Sequence, residues 1–165
     1  MQRRTDPAAP TAARRSLARD TALFIALLAT AIAFGAALAH ALELPNKIGM
    51  PRDAYFIAQS IYSGWNRLAF VLLVQLLGIL AVIVLHRRES RVLWPTLVAL
   101  GGLVAAQIVF WTWTFPANQA TANWTRQPES WEALRWQWEY SHLAGAGFQL
   151  LAMIALILAV LRRRG

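Results

Sequence analysis

The chain of 165 residues contains no cysteine, so disulfides, thiolate metal ligands and cysteine nucleophiles are excluded. Charge is scarce as well. Only 15% of residues are charged, against roughly 25% in a soluble domain, while 58% are hydrophobic. Such a shortage points to lipid as the solvent. The formal net charge of +8 is carried by no basic stretch interleaved with aromatics, so nucleic acid is not an expected partner. The length suits one domain.

What the chain does have is four long uncharged runs: residues 21–42, 68–86, 92–125 and 140–161. A helix needs about 20 mainly apolar residues to cross a hydrocarbon core of about 30 Å. In lipid the backbone must satisfy its own hydrogen bonds, so each run is expected to be a helix. The expected fold is all-α, a four-helix transmembrane bundle with spans near 20–42, 66–86, 92–115 and 140–161. The last should begin earlier, near Ser130, as an extension outside the membrane. Residues 1–19 read as a disordered basic tail, with Ser16 or Asp20 capping the first helix. A cleavable signal peptide, suggested by basic residues, an apolar run and Ala37-Leu38-Ala39, is the rival reading of this end. The apolar run is too long for a typical signal.

Lys and Arg positions orient the bundle. Arg3, Arg4, Arg14, Arg15 and Arg19 precede the first span; Arg87, Arg88 and Arg91 link the second and third; Arg162, Arg163 and Arg164 end the chain. The two other loops balance Lys47, Arg52, Arg67, Arg126 and Arg135 against Glu43, Asp53, Glu129, Glu132 and Glu139. Both termini are therefore expected in the cytoplasm, in an inner-membrane protein.

Several features position helices. Ala31, Gly35 and Ala39 form a small-residue stripe that would admit a neighbouring helix. Pro45 disfavours helix at Leu44, which predicts the end of the first span there. Pro51 suits the first turn of a short interfacial helix carrying Tyr55, Phe56, Ile61, Tyr62 and Trp65. Gln75, Gln107 and Gln149 predict hydrogen bonds between helices. Gly101-Gly102 allows close packing. Trp131, Arg135, Trp138, His142, Gly145 and Gln149 follow spacings of three and four, which places them on one inward face of the fourth helix.

Polar and aromatic residues collect at one level. His40 and Glu43 end the first span, Glu139 and His142 begin the fourth, Trp65 and Asn66 begin the second, and Asn118, Asn123 and Trp124 follow the third. Of eight tryptophans, only Trp94 falls at the opposite end, and a folded cap would account for that. Three chemistries fit. His40, Glu43, Glu139 and His142 form two pairs spaced i, i+3, which could hold one Zn, Fe or Cu ion. Alternatively, a histidine beside a carboxylate can serve as a base without metal, with Asn118 and Asn123 donating to an oxyanion and tryptophans walling a flat apolar pocket. In the third reading the histidines only bridge helix ends.

The pattern Gly35…His40-x-x-Glu43-Leu44-Pro45-Asn46, then Tyr62-x-x-Trp65, then Phe115-Pro116-x-Asn118…Asn123-Trp124…Trp131-x-x-x-Arg135-x-x-Trp138-x-x-x-His142 resembles the anthrone oxygenase-like family of small four-span membrane proteins. The resemblance spans residues 20 to 161. It implies a cofactor-independent oxygenation, in which the methylene carbon of a polycyclic anthrone becomes the carbonyl of an anthraquinone at the expense of O₂. His142 would be the base, with Asn118 and Trp138 in matching motif positions. The candidate substrate-binding residues are His40, Glu43, Asn46, Trp65, Asn123, Trp124, Trp131 and Arg135. Two positions depart from the family: Gly145 stands where an Arg is common, and the loop reads Pro-Ala-Asn-Gln. The alternative function is a non-enzymatic membrane subunit that holds a partner with its cap. An enzyme should keep space beside His142, His40 and Asn118, whereas a subunit should fill it.

The charge asymmetry makes a direct prediction. A reporter that works only in the cytoplasm should be active when fused after Gly165 and inactive when inserted at Gln127. The reverse pattern would invert the bundle.

Overall fold

The computed structural model describes residues 8–163, with side chains from residue 14 onward. The described residues contain helices and turns and no strand. The elements are α1 (Ala8–Lys47), α2 (Arg52–Gln59), α3 (Leu68–Leu85), α4 (Ser90–Val109), α5 (Phe115–Ala120) and α6 (Trp131–Arg163). Two short 3-10 turns, Ser60–Tyr62 and Trp65–Arg67, join α2 to α3. A π-helical turn, Phe110–Thr114, makes α4 and α5 one continuous rod. Four stretches are long and apolar enough to cross a membrane: Arg14–Lys47, Trp65–Leu85, Ser90–Ala120 and Trp131–Arg163. The bundle is a ring in which α1 packs on α3 and α6, and α4 packs on α6 and α3.

Lipid-type packing explains which residues lie inside. Large apolar side chains such as Phe24, Phe70, Leu77, Ile108 and Ile154 face outward. The core is built mainly from small residues, among them Ala22, Ala26, Ala29, Ala33, Ala99, Ala152, Ala155 and Ala159. Apolar tails solvate Leu and Phe as well as a core does, so close backbone approach decides the interface instead. The expected stripe of Ala31, Gly35 and Ala39 is not the packed one. Ala31 and Gly35 are exposed, and nothing lies within 4 Å of a Cβ built on Gly35. Ala22, Ala26, Ala29 and Ala33 take that role, with Gly78 of α3 seated on Ala26.

At the centre, Gln75 Nε2 donates to Gln149 Oε1 at 2.9 Å, and Gln149 Nε2 reaches Gln75 Oε1 at 3.4 Å. This amide pair joins α3 to α6 across the ring, as the polar positions predict. Gln107 is half-buried and stands apart from that pair.

Three boundaries differ from expectation. Residues 8–19, read as disordered tail, form the start of α1, so Ser16 and Asp20 lie within the helix rather than capping it. Alanine favours helix here; residues 1–7 of that tail lie outside the described residues. Pro45 does not stop α1, which runs to Lys47. The backbone of Ile48 still donates to Leu44 O at 3.0 Å, so only one helical bond is forgone at the proline. Pro116 does not open a loop either. The wide π turn ahead of it accommodates a residue without an N–H, and helix continues to Ala120.

Helix contact is tightest at Gly102, where an added Cβ would lie 2.8 Å from Phe148 O and 3.3 Å from Ala152 Cβ. Gly101 has open space. Gly102→Ala should therefore destabilise the bundle by roughly 1–3 kcal/mol, while Gly101→Ala should leave it unchanged or slightly more stable. Unfolding midpoints of the detergent-solubilised variants compare the two.

Candidate functional site

The end of the bundle opposite the Arg87–Arg88 turn carries a cap, formed by α2, the 3-10 turns, α5, the α5–α6 connection and the first turns of α6. Its hydrophobic centre is Tyr55, Phe56, Ala117, Trp124 and Trp138. Tyr55 is fully buried, with Trp124 at 5.1 Å between ring centroids. The interfacial helix α2 is thus more than a surface anchor. One face, Tyr55, Phe56 and Gln59, closes the cap, while Ile57 and Ile61 point outward.

An unusual turn brings Trp124 into that centre. Ala122, Asn123 and Trp124 all have positive φ, at 49°, 55° and 64°. Left-handed conformation costs about 1–2 kcal/mol at each residue with a Cβ. Hydrogen bonds hold the turn in place. Asn123 N donates to Asn118 O at 2.7 Å, and Trp124 N to Thr121 Oγ1 at 3.1 Å. The Arg126 guanidinium donates to Ala120 O at 2.6 Å.

Below the cap lies a buried ionic network centred on Lys47, the chain's single lysine. Its ammonium lies 3.1 Å from Glu139 Oε1 and 3.5 Å from Glu43 Oε2, and it donates to Tyr62 OH at 2.7 Å. Tyr62 in turn donates to Glu43. Tyr55 OH donates to Glu139 Oε1 at 2.9 Å and accepts from Gln59 Nε2 at 2.6 Å. Burial first, and then the Glu139 carboxylate, push the Tyr55 phenol far above its ordinary range. Burial and the hydrogen bond to Glu43 do the same for Tyr62. Both phenols therefore stay protonated donors. The Lys47 ammonium also lies 4.6 Å from the Tyr62 ring and 4.9 Å from the Trp138 ring.

The two histidines meet. The rings of His40 and His142 are 4.3 Å apart between centroids. Tyr62, Trp65 and Trp138 surround His40 at 4.4, 5.1 and 5.1 Å, and Trp138 lies 3.9 Å from His142. His142 Nδ1 lies 2.9 Å from Trp138 O. A carbonyl only accepts, so Nδ1 carries the proton, and in the neutral ring Nε2 keeps a free lone pair. Trp138 Nε1 donates to Asn118 Oδ1 at 2.8 Å. That bond fixes the amide orientation and leaves the Asn118 NH₂ as a donor. His142 is half-buried, and three residues on, at Gly145, no heavy atom lies within 4 Å of a built Cβ.

Most of the predicted residues assemble. His40, Glu43, Trp65, Asn118, Trp124, Trp131, Arg135, Trp138, Glu139 and His142 all belong to the cap and its network. Arg135 donates to Met50 O at 2.7 Å and lies 4.6 Å from the Trp131 ring, which ties α6 to the connection after α1. Asn46 and Asn123 do not join them. Both are exposed, Asn46 because the uninterrupted α1 turns it outward, and Asn123 because its role in the turn is played by its backbone. Nor do His40, Glu43, Glu139 and His142 form one ligand set. Among the described residues no group of three or more His, Cys, Asp or Glu side chains converges as metal ligands. The Lys47 ammonium occupies the position between the two carboxylates that a cation would need. The tryptophans also divide: Trp111, Trp113 and Trp136 face outward, so part of their crowding at this end is a surface belt rather than a cap.

No family model, curated protein or solved structure matches this chain.

Reading Pro45 as a helix stop left Lys47 among the loop charges, apart from Glu43 and His40. A continuous helix puts Lys47 one turn beyond Glu43 and seven residues beyond His40, on the same face. The usable signal was a lone lysine among sixteen basic residues.

Because Lys47 and Glu139 are nearly inaccessible, removing one partner strands the other. Lys47→Met or Glu139→Leu should each cost about 3–5 kcal/mol. The double variant Lys47→Met/Glu139→Leu should recover much of that loss. Strictly additive losses in a double-mutant cycle would show the two groups to be uncoupled.

Proposed function

We propose that this protein is an inner-membrane enzyme, with the cap facing outward, in which His142 acts as a base on a flat hydrophobic molecule reached from the bilayer. The observation that carries the reading is the state of His142. Its Nε2 lone pair is free, the residue is half-buried, and the position one turn further along the same face is a glycine beside open space. A bulkier residue at Gly145 would use that space, and the family's usual Arg is missing here. Asn118, held by Trp138, supplies an N–H donor for a developing oxyanion. Trp65 and Trp138, beside His40 and His142, offer aromatic walls.

The resemblance to anthrone oxygenases supplies the reaction class. His142 Nε2 removes a proton from an activated benzylic methylene. The carbanion gives its electron pair to O₂, forming a carbon–oxygen bond and a hydroperoxide. Loss of water, with the second methylene hydrogen leaving as a proton, yields the carbonyl. The balance is CH₂ + O₂ → C=O + H₂O, with O₂ the oxidant and no cofactor in the step.

One observation favours a second reading. The side chains of His40, Tyr62, Trp65 and Trp138 pack directly on one another, which suits a static plug in a non-enzymatic subunit. Entry of a substrate would require the 60–67 segment to swing away, and Gly64, at φ 87°, is the place where that backbone turns.

The test is O₂ uptake by the purified protein in lipid nanodiscs with anthrone as substrate, read together with quinone absorbance. The expected result is one O₂ consumed per quinone. His142→Ala should lower the rate by about 10²–10⁴-fold, the usual worth of a general base, without loss of the folded bundle. No turnover by the wild type would leave the subunit reading standing, and equal turnover by His142→Ala would remove His142 as the base.

A further inference from the structure

The end of the bundle opposite the cap has a site of its own. A cleft of about 420 Å³ is lined by Arg15 and Arg19 of α1, by Val84 and Leu85 from the last turn of α3, and by Arg87 and Arg88 of the turn that follows. Arg19 is partly neutralised by Glu89, its Nη1 lying 2.9 Å from Oε1. Among the described residues, no carboxylate lies within ion-pair distance of Arg15, Arg87 or Arg88. The nearby Asp20 is taken by Arg163. Like charges brought around one cleft by α1 and the α3–α4 turn repel one another, and an anion between them removes that repulsion. Arginine also presents the forked donors that suit phosphate oxygens.

The cleft is amphiphilic along the bundle axis. Val84 and Leu85 belong to the apolar span that reaches Leu85, and the arginines follow within three residues. It therefore straddles the boundary between hydrocarbon and headgroup. A soluble phosphate would use only its basic half. A phospholipid would use both, with its phosphate among the arginines and the upper part of an acyl chain against Val84 and Leu85.

We propose that this cleft binds the headgroup of an anionic phospholipid, one molecule per chain, as a defined site rather than diffuse surface attraction. The lipid bridges the start of α1 to the α3–α4 turn, two segments otherwise joined at this end by the Arg19–Glu89 pair.

Native mass spectrometry of the full-length protein in detergent tests this with phosphatidylglycerol and phosphatidylcholine added in equal amounts. Wild type should retain one phosphatidylglycerol in preference to phosphatidylcholine. The variant Arg15→Gln/Arg87→Gln/Arg88→Gln should lose that preference by about a hundredfold, from roughly 1 kcal/mol for each basic residue near the headgroups. A control with the same loss of charge outside the cleft, Arg14→Gln/Arg91→Gln/Arg162→Gln, should keep it. Equal loss in both variants, or no preference in wild type, overturns the proposal. Displacement of phosphatidylglycerol by equimolar free glycerol phosphate would also overturn it, by assigning the arginines to a soluble phosphate. The wild-type preference and the displacement arm stand even if the triple variant does not fold.

Discussion

The cap depends on one buried ion pair. Lys47 ends α1 and Glu139 lies two turns into α6, so their contact at 3.1 Å fixes how the first and last spans meet. Two charges inside a membrane-facing bundle are costly unless each is fully engaged. Here the Lys47 ammonium is shared among Glu139, Glu43 and Tyr62, and Glu139 Oε1 also accepts from Tyr55, whereas Glu139 Oε2 is buried without a hydrogen-bond partner and keeps part of that cost. Tyr55 carries α2 with it. The same pair thus draws the interfacial helix over the bundle and sets the His40–His142 contact beneath it. Arg135 adds a second tie through Met50 O, closing the connection between α1 and α2.

The rest of the bundle follows from its solvent. With apolar tails outside, burial of large side chains gives little advantage, and alanine and glycine line the interfaces. That leaves polar tethers and close backbone contact to define the arrangement. Gln75 with Gln149 serves at the centre, Thr114 with Ser141 at 2.7 Å near the cap, and Gly102 against Phe148 O between them. These tethers lie on or beside α6, which is why that helix carries most of the residues that matter to the site.

Much of this was legible in the residues. Charge-free runs located the four spans, because lipid tolerates nothing else of that length. The stripe from Trp131 to Gln149 marked the inward face of α6, because its polar members would be expensive against lipid. What misled were the prolines. Pro45 and Pro116 each read as a helix end, yet one is absorbed by the last turn of a long helix and the other by a π turn. Local preference is a bias of about 3 kcal/mol even for proline in a helix interior, and tertiary packing overrides it. The small-residue stripe failed for another reason. Alanine occurs on several faces of α1, and composition does not say which face has a neighbour. The left-handed turn at 122–124 carries no glycine, so nothing in the residues announced it.

The central glutamine pair acts as an index mark between the spans. Helices packed mainly through alanine present nearly uniform surfaces, along which a shift by one turn, about 5.4 Å, changes little. Such a shift would separate Gln75 from Gln149 and leave two amides unpartnered in an apolar interior. It would also carry α6 past α1 and part His142 from His40. A contact in the middle of the membrane thus sets, to within one helical turn, which residues can face each other at its surface.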